Sequence, residues 1–598
     1  MSLLAELRKR RILQVGLAYL ALAWLLVQVA VAVFPAFDMP RWTLRLVILL
    51  LALGLPVALL MAWALVRTPD GIKVDAPAKG GRTMLAIVAV LVAASLVWFF
   101  SRGGVAPAES APPASTAVAR GAPAATAPSV PERSIAVLPL VNASSDPEQV
   151  FFSDGLSENL IDTLSRFDGM KVVGRISSFQ FRDSRDDSAT IGRKLGVAYL
   201  LNGSVQRSGS DVRVRVSLTR AADGSTLWAQ HYDRPYQNLF GLQDDIAQAV
   251  ADALRVKLLA PGAGTGMDDR PPGGNIAAYD AYLRGLKYWY DQEFPQAAEH
   301  MAEAVRIDPD YALAWARLSE SLSTAVTFWP ESSASDAQKL LKARQAGDAA
   351  LRLAPALGAA HTAQASLAFY GFDFAAAERA CQHAVPLAPE DGMVLNSCGY
   401  TLGGIGRIGE AMRLRERLLT IEPLYDVNHF EYAWLLLATG RLDDAEKYLR
   451  IGEGLSQPNA LLRLVLALAR GDTAAARAAA LLAPEDRRAL FVALAAQLSP
   501  GPAADAALAA AIATPAGVDL RALRIAQTYA LRGDARNAVT WLRRTAAEGR
   551  LFLLADPLIL RLRDDPLFIA FCREAGLGQP AGSEALGINR IRAMQSGG

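Results

Sequence analysis

PEDGMVLNSCGYTLGGIGRIGEAMRLRERLLTIEP, from Pro389 to Pro423, is the stretch whose reading decides the fold. Its two bracketing prolines lie 34 residues apart. A proline cannot continue a helix, so each marks a place where a helix stops. Between them, Gly399 and Ala411 are small residues of the kind needed where two helices cross closely. Gly404-Ile-Gly-Arg-Ile-Gly409 falls between the two apolar patterns as an inter-helix turn. The same grammar extends outward in both directions. Ala377, Ala384 and Pro389 precede it, and Ala433 and Ala445 follow. Gly285, Tyr288, Ala297, Ala304 and Pro309 form an earlier set, and Ala526, Tyr529 and Ala538 a later one. Ala343, Ala350 and Pro355 support another repeat, stretched by an insertion around Phe328 to Asp336. Pro458 to Val518 reads as helix pairs without the signature, for six or seven pairs in all. Each pair leaves an apolar face that only a neighbour can bury, so residues 275–549 are expected to stack as an all-α solenoid. Residues 550–577 are expected to cap it, and 578–598 to form a disordered tail.

The opposite end of the chain is apolar. Ile12–Phe34, Leu44–Val66 and Met84–Phe100 are long enough to be read as three transmembrane helices in a membrane block over residues 1–102. Trp42, Trp63 and Trp98 lie near run ends, where interfacial aromatics belong. Arg8 to Arg11 precede the first run, and Arg67, Lys73, Lys79 and Arg82 lie between the second and third. That bias places the N-terminus in the cytoplasm and everything after Phe100 in the periplasm of a Gram-negative cell, anchored to the inner membrane. Residues 103–133 are rich in Ala and Pro and are expected to be a disordered linker.

Order is expected to resume at Ser134. Ile135–Leu138 and Lys171–Val173 read as strands. Val212, Val214, Val216 and Leu218 alternate with polar residues, the period of a half-buried strand. With 198–206 before it and 226–232 after it, this predicts an antiparallel meander. Helices are expected over 151–167, capped by Ser153 or Asp154, and over 189–195 and 240–259. The sum is a compact α/β module over 134–259, followed by a linker, 260–274.

Two family resemblances rest on these residues. Ser134-Ile-Ala-Val-Leu-Pro-Leu140, Phe152-Ser-Asp-Gly-Leu-Ser-Glu-Asn-Leu-Ile161, Val173-Gly-Arg-Ile-Ser-Ser178, Ile191-Gly-Arg-Lys-Leu-Gly-Val197, Leu201-Asn-Gly-Ser-Val205 and Ala221-Ala-Asp-Gly-Ser-Thr-Leu-Trp228 occur in order. Together they resemble the TolB amino-terminal-domain-like family, related to the FlgO domain. That resemblance implies an interaction role and carries no catalytic residues. Relatives of this architecture attach a cyclase domain in front, where this chain has its apolar runs. The spaced small residues and prolines resemble tetratricopeptide repeats, which implies a concave groove that binds peptides or proteins.

Composition and motifs narrow the function further. The net charge is only +2, so no global field points to nucleic acid. Arg207, Arg213, Arg215 and Arg220 give the meander one basic stripe, read first as a solvated strand face and second as an anion site. Cys381, Cys398 and Cys572 are too few for a disulfide framework and read as buried small residues, with a Cys381–Cys398 pair as the alternative. His231, His300, His361, His383 and His429 show no metal-ligand spacing. Gly404–Gly409 matches G-x-G-x-x-G but follows a helix, where a dinucleotide site needs a strand. Asp154-Gly155 invites a catalytic reading, and a helix cap is the plainer one. No cofactor, metal site or catalytic group is therefore expected.

The expectation is a membrane-anchored scaffold or sensor that is not an enzyme and that holds a protein or peptide in the solenoid groove. The alternative is a regulatory subunit relaying a binding event to a separate enzyme such as a nucleotide cyclase; a hydrolase hidden in the α/β module is a third reading. On the repeat register, Tyr282, Trp289, Asn396, Tyr400, Phe430 and Trp434 are the candidate groove residues; the plainer reading is that some of them, Phe430 above all, fill the space between helices.

Overall fold

The computed structural model describes Tyr19 and residues 65–68, 71–74, 130–144, 146, 149–167, 169–254, 269–328, 333–515, 520–547 and 554–577. The chain divides into two units, Met1–Ala125 and Thr126–Gly598. In the first, β1 (Leu65–Thr68) pairs antiparallel with β2 (Gly71–Val74), Leu65 opposite Val74. Pro69-Asp70-Gly71 is a turn signal, and Val66, Thr68, Ile72 and Val74 are β-branched, which accounts for a hairpin here.

This corrects the expected fold class. Among the described residues no helix is long and apolar enough to cross a membrane. Leu65 and Val66, read from sequence as the end of a second transmembrane helix, begin a strand. The rest of the three apolar runs, Tyr19 excepted, lies outside the described residues, as do 103–129 of the expected linker, 260–268, and the tail 578–598. What the structure establishes is a small α/β region followed by a solenoid of helical pairs.

The α/β region is a six-stranded mixed sheet. Its strands are β3 (Ser134–Val137), β4 (Val141–Asn142), β5 (Lys171–Val173), β6 (Tyr199–Ser208), β7 (Asp211–Arg220) and β8 (Thr226–Pro235). The order is β5-β3-β6-β7-β8, with β4 also lying on β6. β3 runs parallel to β5 and β6, and β6-β7-β8 is the antiparallel meander expected from the alternation. Val212, Val214, Val216 and Leu218 are all buried, and Arg213 and Arg215 face out. Helices α1 (Val150–Ser165) and α4 (Leu239–Leu254) share one apolar core with the sheet. On the other side, α3 (Ser188–Leu195) packs through Ile191 and Leu195. Helix α1 starts earlier than expected, on Gln149 with no side-chain cap, so neither Ser153 nor Asp154 caps it. A single turn, α2 (Arg175–Ser178), follows β5.

Among the described residues eight helix pairs follow, where six or seven were expected. They are α5/α6 (Ile276–Tyr290, Phe294–Ile307), α7/α8 (Ala312–Phe328, Ser333–Leu353), α9/α10 (Gly358–Tyr370, Phe374–Leu387) and α11/α12 (Gly392–Gly404, Ile408–Ile421). Then come α13/α14 (Asp426–Ala438, Leu442–Leu455), α15/α16 (Ala460–Arg470, Thr473–Leu481), α17/α18 (Arg488–Ala496, Pro502–Ala513) and α19/α20 (Arg521–Leu531, Ala535–Ala547). The sequence without signature holds two complete pairs, α15 to α18, built from short alanine-rich helices. Ala297, Ala304, Ala377, Ala384, Ala411 and Ala445 are buried at the crossings, as their spacing predicts. Gly406, in the turn between α11 and α12, has φ +87°, a left-handed conformation that disfavours side-chain-bearing residues.

The array encloses its own C-terminal segment. Leu554, Leu558, Ile559 and Leu562 are buried in the same core as α13, α15, α17 and α19, ahead of the last helix α21 (Pro566–Glu574). Asp556 anchors the segment by accepting from the Leu558 and Ile559 amides at 2.9 and 3.1 Å and from the Gln527 side chain. All three cysteines are free and buried.

Candidate functional site

The α/β region and the first repeats form one unit, and the contact between them builds the site. Helix α1 lies against α5 so closely that a Cβ on Gly155 would fall 2.5 Å from Leu283. Asp154 is in the body of α1, where it pairs with Arg182 at 2.6 Å and Arg175 at 3.8 Å. It holds the α2 region in place.

That region reaches into the solenoid. The Gly174 amide donates to the Ile421 carbonyl at 2.9 Å. The Glu422 carboxylate accepts from the Ile176 and Ser177 amides at 3.1 and 2.7 Å, capping α2 from the repeat array. Leu424 donates its amide to Ser177 Oγ at 3.0 Å and receives the Gln180 side-chain amide on its carbonyl. Glu422 is buried, which raises its carboxyl to about 7, against the pull of the two amides and of Arg175.

Arg175 is bound as a ligand would be. Its guanidinium lies 3.8 Å from the Tyr290 ring centroid and 4.3 Å from that of Phe179, and its Nε is 3.1 Å from Glu158. Tyr290 in turn donates its hydroxyl to Glu158 at 2.9 Å. Burial pushes the Glu158 carboxyl up, and Arg175 and Tyr290 oppose the shift.

Beside this contact lies an open cleft of about 1370 Å³. Its walls come from α1, α2, α5, α7, α11 and the α12–α13 turn. They carry nine carboxylates against five lysine or arginine side chains, so the cleft is acidic. Asp162 of α1 has no ion-pair or hydrogen-bond partner among the described residues. Burial, then Asp269, Glu158 and Asp391, raise its carboxyl well above the usual range. Among the described residues no group of three His, Cys, Asp or Glu side chains could hold a metal ion.

The six sequence-derived groove residues divide evenly. Tyr282, Trp289 and Asn396 line the cleft. Tyr282 is only 3% exposed, its ring against Tyr279 and Tyr311, so it supports the wall. Trp289 is half-buried, edge-on to Phe294 at 4.9 Å. Asn396 accepts from the buried Arg415 at 2.7 Å. The other three do not line that cleft; they are half-buried and pack against the core of the later repeats. Tyr400 meets Phe369, and Phe430 fills the space over Gly452, where a Cβ would come within 2.6 Å of its ring. Trp434 packs against the same core. Sequence reading missed Asp162, Arg175, Arg317 and Glu422, because a charged residue on an amphipathic helix reads as a solvated one.

The basic stripe of the meander is largely engaged. Arg213 pairs with Asp233 at 2.6 Å and Arg220 with Asp223 at 3.3 Å. Arg207 pairs with Asp280 of α5 at 3.4 Å and lies over the Tyr236 ring.

Comparison with known proteins bears on the two parts separately. A family model described as HilA/YgeH-like transcriptional regulator, second domain, matches residues 131–249. That match does not show the TolB-like resemblance read from these residues. "Putative adenylate cyclase 3" of Rhizobium meliloti (strain 1021) is 36% identical over 199 residues, 32% of this chain. The chain spans only 33% of the length of that relative. Among solved structures, pilF of Pseudomonas aeruginosa is 20% identical with a TM-score of 0.28, covering 34% of this chain and 90% of its own. A tetratricopeptide repeat protein from Parabacteroides merdae ATCC 43184 is 13% identical with a TM-score of 0.27, covering 48% and 99%. The repeat assignment rests on the helix pairs themselves.

Proposed function

We propose that this protein is a binding scaffold without catalytic activity, and that the cleft between its α/β region and its first repeats receives a segment of a protein partner. The observation that carries this reading is the cleft itself, about 1370 Å³ and walled by both parts. It exceeds the roughly 300–1,000 Å³ of a small-molecule pocket and suits a chain segment. The TolB-like character of the module, with its interaction role, belongs to the same proposal. A second reading, a regulatory part serving a separate effector such as a nucleotide cyclase, draws on the partial likeness to a putative adenylate cyclase. In either reading the bound segment is the input.

Trp289 and Trp434 separate cleft from core. Trp289→Ala is expected to weaken a captured partner by about thirtyfold, about 2 kcal/mol, with the melting temperature nearly unchanged. Trp434→Ala is expected to lower the melting temperature by several degrees, since it removes a half-buried ring packed against the core. Titration calorimetry and thermal melts on both variants check this, and the reverse pattern would refute the assignment. The full chain, supplied with ATP and a divalent cation, is expected to form no cyclic nucleotide; turnover lost in Asp154→Ala would overturn the scaffold reading.

A further inference from the structure

We infer that the cleft selects a partner segment bearing an arginine or lysine, whose cationic group is received against Asp162. This rests on the peptide-binding reading above and adds the chemistry of the peptide. The cleft already shows how it holds a guanidinium. Arg175, from the protein's own α2 turn, lies between the Tyr290 and Phe179 rings with Glu158 at 3.1 Å and Asp154 at 3.8 Å. Asp162 stands one turn further along the helix that carries Glu158. It also borders the open volume, yet no internal cation is paired with it among the described residues.

The surroundings of Asp162 explain why a cation would be bound there. Glu158 and Arg166 flank it on its own helix, and Asp269 and Asp391 face it from other elements. Tyr282 is the neutral neighbour on α5, and Arg317 borders the same cleft from α7. Arg317 is committed to Glu320 at 2.6 Å. Arg166 donates to Thr163 at 3.1 Å. The carboxylates are thus in excess where the cleft is open, and burial first, then the neighbouring carboxylates, push the Asp162 carboxyl well above the usual range. An arriving ammonium or guanidinium supplies the counter-charge that no described side chain gives Asp162. Trp289 and Phe294 at the rim offer apolar surface to the stem of such a side chain.

The test uses the full chain and three capped short-peptide pools, randomised except for a central arginine, glutamine or glutamate. The arginine pool is expected to be retained about tenfold better than the glutamine pool, and the glutamate pool least. Asp162→Asn is expected to erase the arginine preference, whereas Asp505→Asn, on the exposed face of α18, leaves it intact. The Asp162→Asn substitution removes a repelled carboxyl, so the variant is expected to melt no lower than the parent. Equal retention of the arginine and glutamine pools would overturn the charge selectivity while leaving peptide binding standing. Preference surviving in Asp162→Asn would overturn the residue assignment. Retention of no pool would overturn both this inference and the reading beneath it.

Discussion

Glu320→Ala is expected to cost the repeat array about 3–5 kcal/mol, the loss typical of stripping one partner from a buried ion pair. Arg317 and Glu320 face each other across 2.6 Å on α7, and their side chains are 4% and 3% exposed. Thr362 of α9 donates its hydroxyl to the second Glu320 oxygen at 2.9 Å, tying the neighbouring pair into the same network. Removing the carboxylate leaves an almost fully buried guanidinium without its counter-charge, with its Nε already lacking a hydrogen-bond partner. The denaturant midpoint should fall accordingly. Arg317→Met combined with Glu320→Leu is expected to recover most of the loss, because an apolar pair of similar volume needs no counter-charge. If the single substitution costs under about 1 kcal/mol, water reaches this pair and the cleft wall is softer than its burial implies.

How much of this was legible in the sequence depends on whether the cause is local. The strands of the meander follow from alternation at Val212, Val214, Val216 and Leu218, a pattern set by the pleat itself. The helix pairs follow from small residues at crossings and prolines at ends, again local. The α2 turn was not legible, because its N–H groups are satisfied by Glu422, some 245 residues away in sequence. Nothing near Ile176 announces a helix there. The apolar run ending at Val66 was read as a helix on hydropathy alone. Its last two residues are a strand, since β-branched residues around a Pro-Asp-Gly turn favour a hairpin once the run ends. Phe430 stayed open in the sequence between a groove-facing ring and one filling the space between helices. A rotation of a few tens of degrees about the helix axis separates a groove-facing ring from one wedged between helices, and only the packed neighbour, here Gly452 against Phe430, decides it. The cleft is the least legible feature, because it exists only where two separately encoded parts meet.

That meeting is held by Glu422, and its removal is the second large effect. Glu422→Ala takes away the acceptor of the Ile176 and Ser177 amides, and Ser177 is buried. A buried donor left unmatched costs about 1–3 kcal/mol, so the α2 contact should weaken by about 3 kcal/mol. Amide hydrogen exchange at Ile176 and Ser177 should then accelerate by about a hundredfold, while the β7 amides, deep in the sheet, change little. The same residue makes the contact pH-dependent. Burial raises the folded carboxyl from 4.5 to about 7, so the folded state binds more protons than the unfolded one between those values. Stability from this group is therefore fully present below pH 4.5 and is lost as pH rises through about 7. Glu422→Gln cannot titrate. Its stability should be flat across that window, so the deficit relative to the parent shrinks as pH rises. A deficit that grows from pH 4.5 to about 7 would mean that the two amides outweigh burial and that Glu422 is held ionised at the contact.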